Sequence, residues 1–259
     1  MIAVVATAAG CGTYVPPLQE YGETASANAD FSAGGAFEFA IKSKVYCDVV
    51  EAVVTSRNAG VLPAGWAVQT TLDLQVDESG SLNPGATYIS SPTFTIGAGA
   101  VLSSQATRES KFGGYWELDK LKGAGSSPCF NSNPQASSFL LSELGISDWL
   151  KDGLKSLHYL PSSGGNKKDP FYKQDFLSYH VKFIVTSNGS VTPAWKLVRV
   201  TTGNGGLPLV GAGRVRTHDL LLTFGPTFDA KTPNLAISSH AAQDFGNAVS
   251  NGRRPLLPQ

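Results

Sequence analysis

The chain has 259 residues, no net formal charge and only 15% charged residues, against about 25% in an average soluble domain. Its 20 basic and 20 acidic residues gather into no basic stripe for nucleic acid and no acidic run for buffering cations. No stretch reaches the ~18 apolar residues of a membrane-crossing helix, while 28 glycines and abundant Ser, Thr and Asn fit a β-rich protein of one or two domains.

The chain opens Met-Ile-Ala-Val-Val-Ala-Thr-Ala-Ala-Gly-Cys, an apolar run that closes on Cys11. Ala8-Ala9-Gly10-Cys11 resembles the lipobox of a bacterial lipoprotein signal peptide. The resemblance implies that residues 1–10 are a signal peptide and that the Cys11 thiol carries a diacylglycerol. It further implies export and a lipid anchor in a membrane. Gly12 rather than Asp follows the cysteine, which in the sorting pattern of such proteins permits the outer membrane. No Lys or Arg precedes Lys42, so the basic segment of such a signal falls upstream of a start codon placed too late. Without the resemblance, the same residues give a first β-strand of a cytosolic domain, with Gly10 and Gly12 as its turn. Val15 stands where a dinucleotide-binding loop needs its third glycine.

With Cys11 lipidated, Cys47 and Cys129 remain as an even pair for a disulfide in an oxidising compartment. In a cytosolic protein the same two residues are free thiols. Three cysteines without close spacing make no zinc site.

Residues 11–35 read as a flexible tether, because Glu23–Gly35 is almost entirely small or polar and buries too little apolar area to offset its ordering entropy. Val45, Tyr46, Val49, Val50, Val53 and Val54 then fall on one helical face, ended by Asn58 and Gly60. Trp66, Val68, Thr70, Leu72, Leu74 and Val76 alternate with Ala67, Gln69, Thr71, Asp73 and Gln75, the pattern of a half-buried strand. Asn83-Pro84-Gly85 is a turn. Phe94, Ile96, Ala98 and Ala100 resume the alternation, and the polar stretch to Trp116 extends it past glycine bulges.

Residues 138–157 look helical, with Ser147 as N-cap and a stripe of Trp149, Leu150, Leu154 and Leu157. Phe176–Val200 reads as a hairpin. A three-residue loop, Ser187-Asn188-Gly189, sets Val185 opposite Val191 and Val181 opposite Trp195, so that both apolar faces meet. The turn role also accounts for the glycosylation-type triplet Asn188-Gly189-Ser190. Thr217–Phe224 is another strand, facing inward with Leu220, Leu222 and Phe224. Ile237, Ala241, Phe245 and Val249 mark a last helix. The fold class is therefore α+β, mainly antiparallel sheet, with helices at about 44–57, 138–157 and 235–250. Residues 36–251 form a single domain and 252–259 a tail.

Catalytic signatures are missing from the sequence: it has no G-x-S-x-G elbow, no H-E-x-x-H, no Walker loop and no calcium loop. His158, His180, His218 and His240 are each isolated, with no second histidine at metal-ligand spacing. No metal or other cofactor is expected. Arg214, Arg216 and His218 alternate at period two after a glycine-rich stretch, so a strand puts all three on one face. Such a row can bind a carboxylate or phosphate, or be the solvated side of a strand. A hydrolase or transferase using Arg214, Arg216, His218 and Asp219 is the alternative to a non-enzymatic role. Tyr14, Tyr21, Phe31, Tyr115, Trp116, Phe171 and Tyr172 sit in or beside loops, where aromatics bind peptides or glycans or pin loops to a core. The expected partners are the membrane, through the lipid anchor, and another envelope protein or glycan; nucleic acid is not expected.

Overall fold

The computed structural model describes residues 15–18, 33–82, 85–91, 94–99, 102–121, 129, 143–160, 175–191, 195–196, 200–202, 210–227 and 235–252. The architecture is α+β, with antiparallel strands and helices set apart from them in sequence. Helix α1 spans Ala33–Asn58, α2 Ile146–Tyr159 and α3 Leu235–Gly252. Strands β1 (Trp66–Leu82), β4 (Leu102–Glu117), β8 (Val210–Pro226) and β5 (Leu177–Val191) form a four-stranded sheet in the order β4-β1-β8-β5. A second sheet has the order β3-β2-β7-β6, from Phe94–Gly99, Gly85–Ser91, Val200–Thr202 and Trp195–Lys196.

The chain divides into two compact units. One comprises Met1–Leu18, Leu74–Ser110 and Phe183–His218; the other Gln19–Asp73, Lys111–Lys182 and Asp219–Gln259. The boundary falls inside each of the four long strands, which is why no linker composition betrays it.

The first unit holds the second sheet. There β2 pairs antiparallel with β3, Tyr88 opposite Ile96, and with β7, Tyr88 opposite Val200. The second unit holds the three helices. In α1, Phe37, Ile41, Val45, Val49 and Val53 recur every four residues and are all buried. That row carries the helix back to Ala33, through residues expected to be tether, despite the cost of about 1 kcal/mol for each helical glycine at Gly34 and Gly35. The helix stops where the sequence predicts. Gly60 adopts φ +68°, Val61 N–H donates to the Ser56 carbonyl at 3.1 Å and Gly60 N–H to that of Arg57 at 3.0 Å. These two bonds satisfy carbonyls that the helix end would leave orphaned.

Helix α2 begins at Ile146, so residues 143–145 are not helical, and Gly145 with φ +67° is the N-cap in place of Ser147. The expected helical residues 138–142 lie outside the described residues. Ile146, Leu150 and Leu154 are buried, and the Trp149 ring packs 4.8 Å from Tyr179 and 6.0 Å from Phe224. Tyr46 of α1 meets Trp116 edge-on, and Lys42 lies 3.5 Å over the Phe112 ring. Helices α1 and α2 thus share one side of the sheet in this unit.

The predicted hairpin at Phe176–Val200 does not form. Strand β5 continues through Asn188-Gly189 to Val191, and Trp195–Lys196 pairs with Val200–Thr202 instead. Local pairing is overridden because β5 takes its ladder from β8, far along the chain. A Cβ on Gly213 of β8 would come within 3.3 Å of Asn188 Oδ1 and 2.9 Å of Ser79 Oγ. Gly213 is thus closely approached by β1 on one side and β5 on the other. Among the described residues no helix is long and apolar enough to cross a membrane.

Candidate functional site

Strand β8 carries the residues that sequence reasoning singled out, and the structure divides them between two clusters. In the first unit, Arg214 forms an ion pair with Glu78 of β1, and its second guanidinium nitrogen donates to the Pro17 carbonyl. Arg216 is 1% exposed and donates to the Leu18 carbonyl at 3.3 Å. His218 is 2% exposed in the same row. Both arginines thus have partners within the first unit. A row of buried cations needs charge and carbonyl partners, and the segment Val15–Leu18 helps supply them. Leu18 is itself buried, so this part of the expected tether is packed.

In the second unit, Asp219 is buried and accepts from His180 Nε2 at 2.6 Å, with Lys182 Nζ at 3.4 Å. His218 and Asp219 are neighbours on one strand and point to opposite faces; the carboxylate therefore meets the histidine of β5 instead. A buried carboxylate that orients a half-exposed imidazole is one part of a nucleophilic triad. Two positions along β5, Ser178 donates to Gln243 Oε1 at 2.7 Å.

The same face of the sheet receives α3. His240 is buried between two hydroxyls, Thr71 Oγ1 and Thr223 Oγ1, each at 2.9 Å. Asp244 pairs with Lys111 of β4 at 2.8 Å. Burial holds the His240 imidazole below its ordinary value of 6.5; nearby Lys111 lowers it further and Asp244 opposes them. The folded state thus favours the neutral ring. Its stabilising contribution is complete above the unfolded value and is lost as pH falls through the depressed folded one. We expect the urea midpoint of the wild type to fall between pH 7.5 and pH 5.5. In His240→Gln that part of the pH dependence should be flattened, and an unchanged pH profile in the variant would show that another group titrates.

A hollow of about 300 Å³ opens beside Lys44, Asp48 and Glu51 of α1 and residues Glu143–Ser147 at the start of α2. It includes none of the β8 residues. Lys44 Nζ donates to both Asp48 carboxylate oxygens at 2.8 Å. The Asp48 carboxyl nevertheless sits above its ordinary value, because burial outweighs Lys44, and Glu51 and Glu143 push it the same way. Among the described residues no group of three or more His, Cys, Asp or Glu side chains is arranged to hold a metal. Close to the hollow in sequence, Cys47 is bonded to Cys129, 82 positions away.

Of the other expected site residues, Cys11 lies outside the described residues, as do Tyr14, Tyr21, Phe31, Phe171 and Tyr172. Tyr115 is 41% exposed, whereas Trp116 packs on Tyr46. His158 meets the exposed Tyr159 edge-on. Sequence reasoning missed Glu78, His180 with Lys182, and the polar anchors of α3; no local spacing links residues brought together only by strand pairing.

No family model and no curated protein matches the chain. Among solved structures it is similar to the secretin InvG of the Salmonella SPI-1 type III secretion injectisome, at 11% identity over 74% of this chain and 73% of that one, with a TM-score of 0.23. A structure of InvG from residue 176 to its end, in the open gate state, gives 10% identity over 76% and 69% of the two chains, with a TM-score of 0.19. Scores this low do not establish a shared fold.

Proposed function

We propose that this chain is an exported, lipid-anchored bacterial envelope protein whose folded region serves as a binding or structural module rather than an enzyme. The observation that carries the reading is the division of its cysteines. Cys47 and Cys129 are bonded to each other, a state that belongs to oxidising compartments. Cys11 is left over at the end of the lipobox-like run. Acyl chains on Cys11 hold the protein at the membrane, and two such chains anchor stably where one holds marginally. The folded region then faces the envelope space, where its partners are another envelope protein or a glycan. The ties of Arg214 to Glu78 and the Pro17 carbonyl, and of Arg216 to the Leu18 carbonyl, favour a structural use of that row over substrate binding.

Cys11→Ser tests the anchor. Expressed in a bacterium, the wild type is expected in the membrane fraction, and the variant should move largely to the soluble fraction without loss of its thermal transition. Equal partitioning of the two would count against the lipid anchor.

A further inference from the structure

Residues 15–18 are held on the first unit as a peptide ligand is held. Burial alternates along them: Pro16 and Leu18 are buried, Val15 and Pro17 exposed. Two successive carbonyls, those of Pro17 and Leu18, accept from Arg214 and Arg216 of β8. The two arginines stand two positions apart on one strand and so share a face. The strap and both arginines belong to the same compact unit.

The two prolines suit this site for a physical reason. A guanidinium carries N–H donors and no acceptor, so the segment beside it has to offer carbonyls. An ordinary residue at position 16 or 17 would also bring its own N–H against those donors, where an unmade hydrogen bond is costly. Pro16 and Pro17 have no N–H. They also hold the backbone extended before it binds, which lowers the ordering cost. Leu18, at 0% exposure, is the apolar anchor that follows them. What the site reads is therefore a proline-proline-apolar segment presenting neutral carbonyls, not an anion.

We propose that this face of β8 is a peptide-recognition site, filled in cis by residues 15–18, which takes a proline-proline-apolar segment of a partner protein in exchange for the strap. A site that holds such a segment in cis holds the same chemistry in trans. The cis copy competes at an effective concentration of about millimolar, so the strap is an autoinhibitory occupant. An incoming segment offers Arg214 and Arg216 the same carbonyls, and the exchange leaves neither cation with fewer bonds. The inference rests on the binding-module reading and supplies a site and a ligand class for it. It is independent of the lipid anchor.

The test uses the full chain with Cys11→Ser, so that its failure and failure of the anchor are read separately. The probe is a fluorescein-labelled peptide with the sequence of residues 13–20, followed by fluorescence anisotropy. Leu18→Asp in the chain weakens the strap and is expected to tighten binding of the peptide about ten-fold or more. Replacing both prolines of the peptide by alanine should weaken its binding to that variant about ten-fold. Should Leu18→Asp perturb folding, Pro16→Gly with Pro17→Gly loosens the strap without a buried charge, and the same gain is expected. Binding no tighter to the loosened chains than to their parent, or indifferent to the prolines of the peptide, would overturn the proposal. So would a parent-chain dimer in light scattering that Leu18→Asp dissolves, because the strap would then belong to a second copy.

Discussion

Replacing both Cys47 and Cys129 by serine is expected to destabilise the unit containing α1 by about 4–5 kcal/mol. The bridge closes a loop with a sequence separation of 82, and the chain-entropy model gives about 4.5 kcal/mol for a loop of that size. For a protein in this size range the corresponding fall in melting temperature is roughly 9–18 °C. Cys47 is half-buried in α1, between Val45 at 3% and Val49 at 0% exposure. A looser Cys129 segment therefore leaves that helix in place but enlarges the unfolded ensemble. Denaturation with and without reductant should reproduce the difference in the wild type and abolish it in the double variant. Coincident curves would show that the native protein carries free thiols, which would remove the main support for an oxidising compartment.

Glu78→Ala is expected to cost about 3–5 kcal/mol, because it leaves the Arg214 guanidinium without its charge partner in a place where water reaches it poorly. The two side chains are 11% and 13% exposed. Adding Arg214→Met in the same chain should recover most of the loss, since it removes the cation that has lost Glu78 and keeps the volume. A ligand-binding role for the row makes the opposite forecast. Glu78→Ala would then free Arg214 for an anion and raise the stabilisation given by added phosphate. The comparison of urea midpoints with and without phosphate therefore separates a structural tie from an anion site.

How far the sequence speaks depends on whether a feature is set locally. Trp66–Val76 alternates so regularly that β1 is legible without knowing its neighbours, and the exit of α1 is written in Asn58 and Gly60. The start of α1 is not, because two glycines and a run of small residues look unstructured until Phe37 and Ile41 are seen to extend the Val45–Val53 row into the core. Asn188-Gly189 carries a strong turn preference, yet it lies within a strand because β8 offers a longer ladder than the local hairpin. Ile237, Ala241, Phe245 and Val249 do mark a helix, but Phe245 and Val249 are exposed. Periodicity reports that a helix has an apolar side but not which side meets the protein, and here Thr71, Ser178, Thr223 and Lys111 present a polar surface that selects the polar side. The Arg214–His218 row shows the same limit. Its period-two spacing is visible, but Glu78 and the Pro17 and Leu18 carbonyls that occupy it come from distant segments.

The most direct test of the central claim is the intact mass of the protein expressed in a bacterium from its reading frame together with the upstream sequence. A product that begins at Cys11 and carries the added mass of diacylglycerol is the predicted result. An unmodified product that retains Met1 and stays in the cytosol would contradict the account. It would make the N-terminal run a strand, leave Cys47 and Cys129 in a reducing compartment, and return the His180–Asp219 pair to consideration as part of an active site.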